Sequence, residues 1–90
     1  TEELGVLLAQ NYAASGDNSN ALKEFNYAAD TFGSAETRLQ FALWAVSAND
    51  IEKAKILRVT LEKDWQHWNK HTRGLYKALF NQLDAALSAK

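Results

Sequence analysis

Two seven-residue segments that end in the same turn pattern, a glycine or asparagine followed by aspartate, constrain this chain more than any other feature. The two copies, NYAASGD and WAVSAND, end at Asp17 and Asp50, which are 33 residues apart. The residue before each aspartate, Gly16 or Asn49, is of a type that adopts the left-handed conformation after a helix end. The aspartate is a favoured cap of the helix that follows. A period of this length predicts a stack of helix pairs, each pair turning at one copy of the sequence.

Apolar residues at helical spacing fill the segments between such breaks, and the chain has no proline to interrupt them. Alternation of period two is missing over any useful length, so no strand is predicted. The spacing predicts an all-α fold with helices near 2–15, 19–32, 35–48 and 51–63, and a longer helix ending near 89. The segment 64–71 reads equally as a loop or as an early start of the last helix. The third helix is apolar on two faces, which predicts an inner position in the stack.

Composition removes several functional classes. The chain has 90 residues, enough for one small domain, and no cysteine, which excludes disulfides, thiol catalysis and cysteine-ligated zinc. No apolar run reaches membrane-spanning length, so no membrane insertion is predicted. The absence of cysteine does not distinguish a cytoplasmic from a periplasmic location. Because the chain begins at Thr1 and contains no Met, we expect a domain cut from a longer protein or a processed product.

Charge is nearly balanced overall but unevenly distributed. The net charge of −1 gives no global attraction to nucleic acid. Residues 1–50 carry seven acidic and two basic side chains, whereas residues 51–90 carry eight basic and four acidic ones. This polarity favours head-to-tail contact between copies, so a homo-oligomer is one expected assembly.

Small and aromatic residues recur at set intervals around the two turns. In the first unit they are Leu8, Ala9, Tyr12, Gly16, Asp17, Ala21, Phe25 and Ala28. In the second unit they are Phe41, Ala42, Ala45, Asn49, Asp50 and Ala54. At these intervals the chain resembles the tetratricopeptide repeat family. In the first unit, Gly5 replaces the family's first large residue and Gly33 its final proline. The second unit is degenerate, because Arg58 takes the family's aromatic position and Leu61 that of its second alanine.

The resemblance implies a single domain over residues 1–90, a short right-handed solenoid of five helices in antiparallel pairs. Repeat one would span 2–34, repeat two 35–68 and a closing helix 69–90. In such a fold, small residues let paired helices approach closely while aromatic residues fill the space beside them. The expected structural residues are Leu8, Ala9, Tyr12, Gly16, Ala21, Phe25, Ala28 and Ala54, with Trp65 and Trp68 covering the junction between repeat two and the closing helix.

The same resemblance implies a protein–protein interaction module or adaptor, with no catalytic residue, cofactor or metal. The family holds a peptide or amphipathic helix of a partner protein on its concave face, which the first helix of each unit lines. By position this surface comprises Glu3, Val6, Gln10, Glu36, Leu39, Leu43 and Val46, joined by Arg73 and Lys77 if the closing helix continues the stack. Its apolar members would form one strip. Some members of the family clamp a peptide's C-terminal carboxylate at the positions of Arg73 and Lys77, but apolar residues stand at the other clamp positions here.

Several residues of the chain would also suit functions other than peptide binding. The open face of repeat one would support self-assembly, or a scaffold role within a larger repeat protein. Trp65 and Trp68 lie among basic residues that would suit nucleobases or glycans, although we expect them to be structural and nucleic acid not to be a partner. His67 and His71 have metal-ligand spacing on a helix, without the glutamate of a zinc protease between them. No nucleophile–base pair or phosphate-binding loop is present, so an enzyme is not predicted.

Overall fold

The computed structural model describes residues 1–89, and all of its regular structure is helical. Five helices follow one another along the chain: α1 Glu2–Ala14, α2 Asn18–Thr31, α3 Ala35–Ser47, α4 Ile51–His67 and α5 Lys70–Ser88. Among the described residues there is no strand, which confirms the predicted all-α class and the number of helices. The last residue of the predicted closing segment, Lys90, lies outside the described residues.

The undecided segment 64–71 contains the end of one helix and the start of the next. α4 continues to His67, four residues beyond its predicted end, and the chain then extends at Trp68, where ψ is 144°. Asn69 caps α5, since its side-chain oxygen accepts the N–H of Thr72 at 2.8 Å. Because this break separates His67 from His71, the two side chains do not share one helix face.

The repeated turn sequence folds into the same geometry twice. Gly16 has φ of +84° and Asn49 has φ of +64°, the left-handed conformation expected after each helix end. The N–H groups of Asp17 and Asp50 each donate to the carbonyl five residues earlier, both at 2.8 Å. Each aspartate side chain then accepts the N–H three residues later, at 3.2 and 3.3 Å. The 33-residue period is therefore a period of backbone structure.

α3 is the central helix of the stack. α1 packs mainly on α2, and α3 mainly on α4, and each pair is antiparallel because a short turn joins its members. α5 packs on both α3 and α4, so that α3 contacts all four other helices. The apolar residues found on two sides of α3 in the sequence are explained by this inner position.

The small residues expected between paired helices are fully buried, namely Ala9, Ala21, Ala28 and Ala54. A Cβ added at Gly5 would lie 3.5 Å from the Ala28 Cβ, so α1 and α2 approach closely at that level. Tyr12 is half-buried, whereas Leu8, which was also expected to be structural, is exposed and contributes little to the core. In this structure no helix lies over that side of α1.

Aromatic stacking joins the first unit to the second. The buried rings of Phe25 and Phe41 are parallel within 7°, with centroids 5.2 Å apart, and Trp44 lies against both. The residue 33 positions after Phe25 is Arg58, whose guanidinium lies 4.6 Å from the centroid of the Phe80 ring in α5. In the first unit, Phe25 contacts the next helix by stacking on Phe41. In the second unit, Arg58 contacts the next helix by a cation–π interaction with Phe80.

Ion pairs hold Arg58 in that position. Its Nε donates to Asp84 of α5 at 2.6 Å, and it also pairs with Glu62 one helical turn away. The hydrogen bond to Asp84 raises the pKa of Arg58, so the guanidinium stays charged throughout the pH range in which proteins are studied. The arginine that makes unit two look degenerate is therefore a structural contact between α4 and α5.

No helix among residues 1–89 has both the length and the apolar character needed to cross a bilayer.

Candidate functional site

A groove runs between the first helices of the two units, α1 and α3. Its volume is about 380 Å³, and it is lined by Glu2, Glu3, Val6, Leu7, Gln10, Glu36, Thr37 and Gln40. Four of the nine residues predicted to bind a partner lie together here, namely Glu3, Val6, Gln10 and Glu36. Both units contribute side chains to this groove.

Helical spacing and the 33-residue period together build this groove. Glu3, Leu7 and Gln10 are three or four residues apart and so share one face of α1. Glu36 and Gln40 are four apart on α3 and are the period equivalents of Glu3 and Leu7. Equivalent positions of adjacent units therefore line the same groove, as expected for stacked helix pairs.

The groove has an acidic rim and an apolar floor. The rim comprises the carboxylates of Glu2, Glu3 and Glu36, and no basic side chain lines the groove. Val6 packs partly against the core, while Leu7 is exposed. A ligand suited to this surface carries an apolar side chain and positive charge.

Two polar groups of the groove also hold the start of α3. Glu2 accepts the backbone N–H of Ser34 at 3.4 Å, although α1 and α3 belong to different units. Thr37 is buried, and its hydroxyl is 3.1 Å from that of Ser34, which caps α3 by accepting the Thr37 N–H. The groove is therefore fixed at its acidic end by contacts within the protein, and this favours a preformed surface.

The predicted apolar strip does not lie on the surface. Leu39 and Val46 are buried in the core, and Leu43 is half-buried against it. Leu39 and Val46 therefore offer no free surface to a partner, because α3 is the central helix and contacts all four others, whereas the role of Leu43 stays a prediction. Of the four strip residues, only Val6 lines the groove.

The two basic residues predicted for the site, Arg73 and Lys77, also lie outside the groove. Arg73 donates from Nε to the carbonyl of Trp65 at 2.9 Å and from a terminal nitrogen to that of Gln66 at 3.4 Å. Its guanidinium lies 5.5 Å from the centroid of the Trp65 ring. Arg73 thus binds two carbonyls at the C-terminal end of α4, one of which, that of Trp65, also accepts the Trp68 N–H at 3.2 Å. Lys77 is exposed and does not line the groove.

The tryptophan pair covers the α4–α5 junction as predicted. The Trp65 ring meets Phe80 edge-on at 5.0 Å, and the Trp68 ring lies 5.4 Å from Tyr76, with the two indoles 5.7 Å apart. Within residues 1–89, no group of three or more His, Asp or Glu side chains is placed to hold a metal ion.

Sequence reasoning missed Glu2, Leu7, Thr37 and Gln40 as groove residues. The period contains a signal for one pair, since Leu7 and Gln40 occupy equivalent positions 33 residues apart. The period does not identify Glu2 and Thr37, because whether they line the groove depends on how closely α1 and α3 approach each other.

Comparisons with protein-family models, curated proteins and solved structures find no match for this chain.

Proposed function

We propose that this chain is a helical-repeat interaction module of the tetratricopeptide type, which binds a segment of another protein in the groove between α1 and α3. The observation that carries the proposal is that Glu3 and Gln10 of the first unit and Glu36 and Gln40 of the second line one groove. The duplicated turn geometry 33 residues apart supports the repeat assignment. Concave grooves of stacked helix pairs are binding surfaces in repeat proteins generally.

The groove chemistry favours a segment that carries both an aliphatic or aromatic side chain and a lysine or arginine. An apolar side chain seated on Val6 and Leu7 contributes about 1.5–3 kcal/mol before ordering costs. The exposed carboxylates of Glu3 and Glu36 contribute to the association rate and to the direction of the bound segment more than to affinity. An amphipathic helix with one basic edge satisfies both requirements.

Selection from a random-peptide display library on immobilised protein tests the proposal. We expect the selected sequences to be enriched in lysine or arginine close to an apolar residue. Binding of these peptides should fall at least tenfold, about 1.4 kcal/mol, in the variants Leu7→Asp and Glu36→Lys. Both positions are exposed, so their replacement should leave the helical circular dichroism signal unchanged.

The matched control is Tyr27→Asp, which replaces an exposed aromatic residue on α2, away from the groove. It should bind the selected peptides as the unmodified protein does. Selection of mainly acidic peptides, or equal binding by the Leu7→Asp and Glu36→Lys variants, would show that the groove is not the binding site.

A further inference from the structure

An apolar face of α1, which borders the α1–α3 groove at Leu7, is left open in this structure. Leu4, Leu7 and Leu8 are spaced three and four residues apart, with exposed fractions of 64, 55 and 42%. Single exposed apolar residues are ordinary, but three leucines on one face of a 13-residue helix form a contiguous patch. We refer to these three residues as the front face.

The internal repeat indicates what covers such a face. Thirty-three residues after Leu4 and Leu8 stand Thr37 and Phe41, which are 2 and 1% exposed. Phe41 is covered because the second helix of the preceding unit lies over it, with Phe25 stacked on its ring. The equivalent face of α1 has the shape and chemistry to receive a helix in the same way.

A complementary face lies on the outer side of α4. Ile56 and Val59 are three residues apart and 56 and 57% exposed. Lys55 and Lys63 are exposed on the same side of the helix. Glu52 and Glu62 are exposed there too, but Glu62 is paired with Arg58. We refer to Lys55, Ile56, Val59 and Lys63 as the back face. An open hollow of about 420 Å³ beside Val59 leaves room for an incoming side chain.

We propose that the front face of one copy docks on the back face of a second copy. Charge complementarity favours this pairing over the alternatives, because Glu3 borders the leucines and lysines border Ile56 and Val59. Two front faces meeting each other would bring Glu2 and Glu3 of both copies together, and like charges oppose that contact. The polarity of the whole chain, acidic in residues 1–50 and basic in residues 51–90, acts in the same direction.

The assembly is head-to-tail, so each copy keeps one free front face and one free back face, and oligomers grow with concentration. One helix face on another is at the small end of interface size, so the association is weak and needs concentrated protein. Salt weakens it, since the flanking charges are exposed.

Sedimentation velocity at millimolar protein and low salt, with two blocked variants, tests the proposal. Leu4→Glu blocks the front face and Val59→Glu blocks the back face, and both replace exposed side chains. Each variant alone should be monomeric, whereas the unmodified protein should form a concentration-dependent series of oligomers. An equimolar mixture of the two variants should form a one-to-one dimer and nothing larger, because one intact front face and one intact back face remain.

Tyr27→Glu is the matched control, with an exposed fraction of 64% on α2, and it should associate as the unmodified protein does. Circular dichroism melts establish that all variants are folded. The proposal is overturned if the unmodified protein is monomeric under these conditions, if either blocked variant still associates, or if the mixture stays monomeric. Persistent association of Val59→Glu alone would assign the front face to a symmetric contact instead.

Peptide binding in the α1–α3 groove is measured separately on the monomeric Leu4→Glu variant, since Leu4 does not line that groove. Loss of self-association with retained peptide binding, or the reverse, therefore distinguishes failure of this inference from failure of the proposed function.

Discussion

The same substitution, glycine to alanine, is expected to change stability in opposite directions at two positions. Gly16 ends the first turn with φ of +84°, and Gly74 lies inside α5 in a helical conformation. A Cβ added at either position meets no atom within 4 Å. The added methyl group is therefore not expected to clash or pack at either site, and the two substitutions differ only in the backbone conformation that alanine must adopt.

The magnitudes follow from that difference. Alanine is favoured over glycine inside a helix by about 0.8–1 kcal/mol, so Gly74→Ala should raise the free energy of unfolding by roughly that amount. At Gly16 the left-handed conformation costs an L-residue about 1–2 kcal/mol. The lower entropy of the unfolded alanine chain offsets about 0.4–1 kcal/mol of this, so Gly16→Ala should lower the free energy of unfolding by about 1 kcal/mol.

Urea titration followed by circular dichroism measures both effects, with an unchanged dependence on urea as the check that unfolding stays two-state. In a thermal melt, 1 kcal/mol corresponds to about 4–8 °C for a domain of this size. A lower midpoint for Gly74→Ala would refute the placement of this residue on an open helix face. A midpoint for Gly16→Ala equal to that of the unmodified protein would refute the left-handed turn.

Three further predictions concern the packing of α1 on α2, the cap of α4 and the contact between α4 and α5. Ala28→Leu should lower the free energy of unfolding by about 1–3 kcal/mol in a urea titration, because Ala28 is fully buried where α2 approaches Gly5; an unchanged midpoint would contradict the α1–α2 pairing. Asp50→Ala removes the cap of α4 and should cost about 1 kcal/mol by the same measurement, whereas Asp50→Asn should cost less. Arg58→Ala should lower the free energy of unfolding by about 1 kcal/mol, because the contacts with Asp84 and with the Phe80 ring are lost. A double-mutant cycle with Asp84→Ala should yield a coupling energy above zero.

Local interactions explain which parts of the fold were predictable from the sequence. The turns at Gly16 and Asn49 are closed by hydrogen bonds between residues at most five positions apart, and their caps reach only three positions. Because all partners lie within one short segment, the residue types there determine the geometry. The helix count and class follow from the same local signals together with the apolar spacing.

The end of α4 was decided by tertiary contacts. The segment around Asp64 reads equally well as helix or loop, but Asp64 pairs with Arg38 of α3 at 3.3 Å. Arg73 of α5 binds the carbonyls of Trp65 and Gln66, which stabilises the helix terminus from outside. Arg38 is 26 residues from Asp64, and Arg73 lies beyond the break at Trp68, on the next helix, so patterns within α4 alone do not predict where the helix stops.

The surface was likewise decided by how helices lie on one another. The sequence determined that α1 and α3 carry apolar and acidic residues at equivalent positions, and so predicted half of the groove. Burial of Leu39 and Val46, and exposure of Leu8, depend on which neighbour covers each side of α1 and α3. A helical apolar residue looks the same in sequence whether it faces a core, a groove or an open edge, because periodicity records the face of the helix and not what lies against it.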